Sequence, residues 1–279
     1  MDMYKAVTDM DEKGRMREMQ ERIDRNVSHI RHKVVVMSGK GGVGKTTVAV
    51  NIASGLAKKG LTVGIMDVDI HGPNVPKMLG IEGKGLTYNE SGMIPIQVTG
   101  NLKAISMSFL LPDPESPVIW RGPMKIKLIN QFLGDVQWGD LDYLVIDLPP
   151  GTGDETLSIA QQIKGAHALI VTTPQDVALL DSRKALNFAR KLDMPILGVV
   201  ENMSGMICPH CGKTIDLFKK GGGERAASEM GANFLGRLPI DPNIVISGDA
   251  GIPMVLRKED SVSVKPLNGI VDRIQKKME

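Results

Sequence analysis

Lys33-Val34-Val35-Val36-Met37-Ser38-Gly39-Lys40-Gly41-Gly42-Val43-Gly44-Lys45-Thr46-Thr47 decides the fold. An apolar run of strand length meets a glycine-rich stretch in the pattern G-x-x-x-x-G-K-S/T, ahead of a helix expected to begin near Lys45. Strand, loop and helix in that order are the context this pattern needs. Glycines let successive backbone N–H groups turn inward around phosphate oxygens without a Cβ in the way, and the helix adds the positive end of its dipole. Lys45 is then placed to bridge terminal phosphates, and the Thr46 hydroxyl to bind magnesium. The loop Gly39, Lys40, Gly41, Gly42, Val43, Gly44, Lys45 and Thr46, with Thr47 behind it, predicts binding of ATP with Mg2+ and its hydrolysis.

Working outward, further short apolar runs alternate with longer helical stretches: residues 62–67, 102–106, 143–147, 168–172, 196–201 and 234–238. They are apolar throughout rather than alternating, which suits parallel strands covered on both faces. The expectation is an α/β fold: a doubly wound, mostly parallel sheet of about seven or eight strands with helices on both faces. Residues 1–32 read as a charged helical extension, solvated or loosely docked, with helix-forming character from Met10 to about His32 and methionines that suggest packing. Residues 33–279 read as a single domain. Two regions, 80–100 and 204–223, are rich in glycine and turn residues and read as surface excursions.

Acids close some of these runs. Asp67-Val68-Asp69-Ile70-His71 follows one, and Asp147-Leu148-Pro149-Pro150-Gly151-Thr152-Gly153-Asp154 follows another. A carboxylate closing an apolar strand beside a phosphate loop holds magnesium directly or through its water, and Asp147 fits that position. A second carboxylate can orient or deprotonate the attacking water. Asp67 and Asp69 both stand where such a group is needed, Asp67 with the alternative of a strand-end acid that organises the loop, while Asp154 can equally cap the helix after it.

The formal charge of +2 over 279 residues is near balance, so nucleic acid and anionic membrane are not expected partners. No signal-peptide core and no run of eighteen apolar residues is present, which points to the cytoplasm. Both cysteines fall in Cys208-Pro209-His210-Cys211-Gly212, a spacing that lets two thiolates grip one metal centre with Gly212 permitting the turn. A closed site needs four ligands, and two chains related by a two-fold axis supply them. A thiol–disulfide motif, a structural zinc between subunits and inert buried cysteines are the other readings of the pair.

Residues 40–47, KGGVGKTT, resemble the deviant phosphate loop of the nitrogenase-iron-protein and MinD/ParA group of ATPases. The resemblance implies that Lys40 reaches across a nucleotide-sandwich homodimer to the partner's phosphates, which makes Lys40, with Lys45 and Asp69, a catalytic residue. With DVDIHGPN, Trp120-Arg121-Gly122-Pro123-Met124, DLPPGTGDE, TTPQDVALLD and ENMSGMICPHCG, the chain from about 33 to 264 resembles the Mrp/ApbC family of iron–sulfur cluster carriers. That resemblance implies a 4Fe-4S cluster held between Cys208 and Cys211 of two subunits and passed to apo-proteins, and it implies that Asn202 hydrogen-bonds the adenine. It also carries a departure: no cysteine cluster stands near the N-terminus, so no second resident cluster is expected. A ParA- or MinD-like spatial organiser is the competing function; the short, mixed-charge C-terminal stretch 266–279 does little for its membrane version, and its DNA version leaves the cysteine pair unexplained.

Overall fold

The computed structural model describes residues 2–69, 72–110, 122–151, 153–208, 210–257 and 261–279, with the backbone alone at 2–13, 154, 155, 159 and 160. Helix α1 (Asp2–Ser28) leads into β1 (Ile30–Met37), the phosphate loop and α2 (Lys45–Lys58). Strand β2 (Val63–Asp67) is followed by α3 (Val75–Met78), the hairpin of β3 (Thr87–Asn89) and β4 (Gly92–Ile94), then β5 (Ile96–Thr99) and β6 (Leu102–Ser106). Next come α4 (Gly122–Gly134), β7 (Leu141–Asp147), α5 (Asp154–Gln162), β8 (Ala166–Thr172), α6 (Asp176–Lys191) and β9 (Ile196–Glu201). A small hairpin of β10 (Met206–Ile207) and β11 (Thr214–Ile215) precedes α7 (Gly222–Glu229), β12 (Phe234–Arg237), α8 (Pro242–Asp249) and α9 (Val264–Met278).

Eight strands form the main sheet in the order β12-β9-β8-β1-β7-β2-β6-β5. All neighbours are parallel except the last pair, β5 against β6. The unbroken apolar runs are explained by β1, whose alternate residues enter two cores. Val34 and Val36 share one with Ile52, Leu56 and Val271 of α2 and α9; Val35 and Met37 share the other with Ile129 and Phe132 of α4 and Leu186 of α6. The chain leaves β1 toward β2 on one side and later returns to build β8, β9 and β12 on the other. That reversal places a crevice at the carboxyl end of β1, where α/β sheets bind ligands. The phosphate loop occupies it.

The N-terminal segment departs from the loosely docked helix expected over residues 10–32. The helix closes at Ser28 and β1 begins at Ile30, because Ile23, Val27 and Ile30 are buried, at 1%, 6% and 2% exposure. Ile23 and Val27 are one helical turn apart, so a charge-rich sequence still presents an apolar edge. Asn26 fixes the docking with Nδ2 donating to the carbonyls of Leu133 and Val136, each at 2.7 Å. Each buried aliphatic side chain contributes about 1.5–3 kcal/mol. Met19 packs against this core, whereas Met16 is exposed.

Residues 80–100 are likewise not only a surface excursion. Ile96 and Val98 lean on the first core, and Ile96–Thr99 joins the sheet as its antiparallel edge. A register shift between Gln97 and Thr99 breaks that edge, a common guard against pairing with another chain. The four-residue alternation was masked by the glycines around it. Among the described residues, no helix is long and apolar enough to cross a membrane.

Candidate functional site

The phosphate loop gets its shape from glycine. Gly42 and Gly44 take φ of +77° and +82°, left-handed values that side chains rarely adopt. Gly44 is the N-cap of α2 and caps it with no side chain, so the first N–H groups of a fourteen-residue helix remain directed at the crevice. The crevice is a cavity of about 410 Å³ walled by residues 38 and 40–47 together with Asp69, Pro150, Lys77, Met78, Ile244 and Val245. The last three were not foreseen, since an apolar wall from α3 and α8 has no local sequence mark.

Carboxylates meet at its floor. Strand register sets Asp67 directly beside Asp147. Lys45 Nζ lies 2.7 Å from Asp147 Oδ1 and 3.7 Å from Asp69 Oδ2, and the Thr46 hydroxyl donates to Asp147 Oδ2 at 2.7 Å. Asp67, wholly buried, accepts from the N–H of Asp69 at 3.1 Å, the N–H of Val75 at 3.4 Å and the Ser106 hydroxyl at 2.9 Å. Burial first, and then the charge of Asp147, push the Asp67 carboxyl well above the usual carboxylate range. Burial also raises Asp147, against the pull of Lys45 and Thr46. Thr46 Oγ and Asp147 Oδ2 form a pair of hard oxygen donors at the cavity floor. The residues fit a magnesium ion accompanying a nucleotide.

Lys40 points elsewhere. Its Nζ stands 3.4 Å from Gln175 Oε1, the residue that caps α6, rather than over the carboxylates. Val177 and Leu180, on the first turns of that helix, are 70% and 56% exposed. Asn202 closes the loop from the other side: its N–H donates to the Thr172 carbonyl at 2.7 Å and its amide nitrogen to the Val43 carbonyl at 2.9 Å. In this structure the side-chain amide is thus engaged with the loop backbone.

The cysteine pair sits at the tip of the β10–β11 hairpin. The N–H of Cys208 donates to the Lys213 carbonyl and the N–H of Gly212 to the Cys208 carbonyl, both at 2.9 Å, and Gly212 makes the turn with φ of +69°. The backbone N–H groups of Cys211 and then His210 donate toward the Cys208 sulfur and draw its thiol below the ordinary value, favouring the thiolate that binds metals. Cys211 is exposed and both thiols are free. Among the described residues no group of three or more His, Cys, Asp or Glu could hold a metal, so this chain brings two thiols to the tip. His71, Trp120, Arg121, Thr152, Pro209 and the Asp154 side chain lie outside the described residues.

One acid escaped the sequence reading. Glu201 ends the apolar run of β9 and is fully buried, the same signal that singled out Asp67 and Asp147.

A curated relative from Methanocaldococcus jannaschii, named an iron-sulfur cluster carrier protein, is 50% identical over 270 residues, covering 96% of this chain and 92% of its own. A cytosolic Fe-S cluster assembly factor CFD1 from Eremothecium gossypii is 50% identical over 228 residues, 79% of this chain and 81% of its own. Among solved structures, a nucleotide-binding protein from Archaeoglobus fulgidus in complex with ADP superposes with a TM-score of 0.74 at 38% identity, covering 83% of this chain and 91% of that one. The cell division ATPase MinD of Pyrococcus furiosus shares the fold, with a TM-score of 0.64 at 24% identity over 88% of this chain and 99% of its own. The family model described as ParA, NUBPL iron-transfer P-loop NTPase, matches residues 29–275, and the chain belongs to that family.

Proposed function

We propose that the chain is an ATP-dependent carrier that holds a 4Fe-4S cluster between two copies of itself and delivers it to apo-proteins in the cytoplasm. The observation that carries this reading is the hairpin tip, where two free thiols share a turn whose N–H groups favour thiolate. Such a turn presents half the ligands of a four-thiolate site, and a two-fold axis through the tip completes it. The names of the relatives as iron-sulfur cluster carrier and assembly proteins support the same cargo.

The nucleotide chemistry follows from the floor of the crevice. Loop N–H groups and the N-terminus of α2 cradle the phosphates, and Lys45 exchanges its carboxylate partners for the terminal phosphate oxygens, where it stabilises charge on the transferred group. Thr46 and Asp147 hold the magnesium, which neutralises phosphate charge when bound. Asp67 is committed to the backbone of its own loop, and Asp69, which lines the cavity beside Lys45, is suited to orient the attacking water. Lys40 faces the rim beside the exposed Val177 and Leu180, an arrangement suited to a second copy docking there and receiving the lysine at its phosphates.

Anaerobic reconstitution with iron and sulfide tests the reading. The wild-type chain should develop the broad visible absorption of a 4Fe-4S cluster, and the Cys208→Ala/Cys211→Ala variant should not. Zinc retained with no cluster formed, or equal absorption in both proteins, would sink it.

A further inference from the structure

Glu201 has no part in the nucleotide chemistry, yet it is a carboxylate buried to 0% exposure between the two halves of the site. Its Oε1 accepts the Ser204 hydroxyl and, at 2.9 Å, the N–H of Gly221; its Oε2 accepts the N–H of Gly223. Ser204 opens the cysteine-bearing arm and Gly221 to Gly223 close it, so one side chain grips both ends of that arm. Arg237 Nε stands 3.8 Å away, near enough to attract the charge but too far for a hydrogen bond. The next residue in the chain, Asn202, reaches the other way, to the Val43 carbonyl of the phosphate loop. Strand β9 lies between β8 and β12 and ends on Glu201, and the Asn202 N–H is held by the Thr172 carbonyl at the end of β8. Two consecutive residues, the last of β9 and the one after it, thus link the nucleotide loop to the base of the arm.

A buried carboxylate is tolerated only when donors satisfy it, and an apolar residue would fill the position at less cost. The arrangement is also close-fitting: a Cβ on Gly223 would lie 3.0 Å from Glu201 Cβ and 3.1 Å from its Oε2. We propose that Glu201 is a positioning residue that couples the phosphate loop to the cysteine arm, so that nucleotide occupancy changes how Cys208 and Cys211 are presented. A loop that tightens around phosphates shifts the Val43 carbonyl, Asn202 carries the shift to β9, and Glu201 passes it to the arm through Ser204, Gly221 and Gly223. The importance of this coupling for cluster handling rests on the carrier reading above; the coupling itself does not require a bound cluster.

Both cysteines of the chain lie in the arm, so alkylation by iodoacetamide reports on the arm alone. In the full-length cluster-free protein, magnesium with ADP or with a non-hydrolysable ATP analogue should change the alkylation rate by about fivefold or more, the low end of typical coupling between sites. Glu201→Gln places an amide N–H group where backbone N–H donors need an acceptor. It should bring the with-to-without nucleotide rate ratio to about one while nucleotide Kd stays within about threefold of wild type. Gly223→Ala displaces the same carboxylate without altering charge and should lower the ratio too, which keeps the test intact if Glu201→Gln does not fold. A merely structural Glu201 would change alkylation equally with and without nucleotide and preserve the ratio. A wild-type ratio of one, or an unchanged ratio in both variants, overturns the proposal. Failure of the carrier reading shows separately, as iron retention in Cys208→Ala/Cys211→Ala.

Discussion

Replacing Lys45 by alanine separates stability from binding at the same atom. The Lys45 ammonium is 2.7 Å from Asp147 and 3.7 Å from Asp69, with side-chain exposures of 6% for the lysine and 0% for Asp147, so solvent screens this pair little. Breaking a buried pair by removing one partner costs about 3–5 kcal/mol, because the other charge is left unpaired. The abandoned carboxylate can escape by taking up a proton, which raises its folded pKa further above its unfolded value. An acid shifted in that direction loses stability as pH rises through the folded pKa and regains it as pH falls toward the unfolded value. The deficit of Lys45→Ala should therefore be largest at pH 8 and smaller at pH 5.5. Nucleotide binding loses a charge-assisted hydrogen bond worth about 1.5–3 kcal/mol, which weakens Kd by about 10- to 150-fold. Adding Asp147→Asn removes the stranded charge, so the double variant should recover more than half of the lost stability and none of the affinity. Urea unfolding at the two pH values and titration calorimetry with magnesium and ADP read the two effects. Lys45→Ala within about 1 kcal/mol of wild type at pH 8, against the cost expected for a buried pair, would refute the electrostatic account of the floor.

Three further outcomes follow from the same structure. Lys40→Ala should keep nucleotide affinity, since its Nζ contacts Gln175 rather than the carboxylate floor, and lose hydrolysis; full hydrolysis in a steady-state phosphate-release assay would remove the cross-subunit role. Asp67→Asn relieves a carboxyl that burial and Asp147 push well above its ordinary range. Its amide must also face the N–H of Asp69 or of Val75, so the pH trend carries the test: the stability of the variant relative to wild type in urea unfolding should rise from pH 5 to pH 8, and a relative stability that grows on acidification would contradict the stated cause. Ile23→Ala opens a cavity under α1, where Ile23 is 1% exposed, and should destabilise the whole chain by about 2–5 kcal/mol in urea unfolding; a loss confined to helix signal would mean that α1 is an independent appendage.

The site was legible in the sequence where one stretch carries both context and chemistry. Residues 33–47 hold strand, loop and helix start together, and apolar runs ending at Asp67 and Asp147 give away two parallel strands that the register then sets side by side. Which of Asp67 and Asp69 is tied to its own loop was not legible, because it depends on which backbone N–H groups fold back onto Asp67. Where non-local contacts decide, the sequence is mute. The edge strand Ile96–Thr99 has four residues and exists because Ile96 and Val98 find a core built elsewhere. Helix α1 looked solvated because its charges outnumber the two residues, Ile23 and Val27, that dock it. The apolar cavity wall from Met78, Ile244 and Val245 comes from helices far apart in the chain. Glu201 carried a strand-end signal, but its grip on Gly221 and Gly223 is visible only once the arm is folded back.

The central claim is that two chains share one cluster through the four thiols of two hairpin tips. Native mass spectrometry of the anaerobically reconstituted protein measures chains and inorganic content in a single species. The account predicts a dimer whose added mass equals four iron and four sulfide, reverting to single chains without iron in Cys208→Ala/Cys211→Ala. A complete cluster on a single chain, or a dimer bridged by one zinc ion, would contradict it.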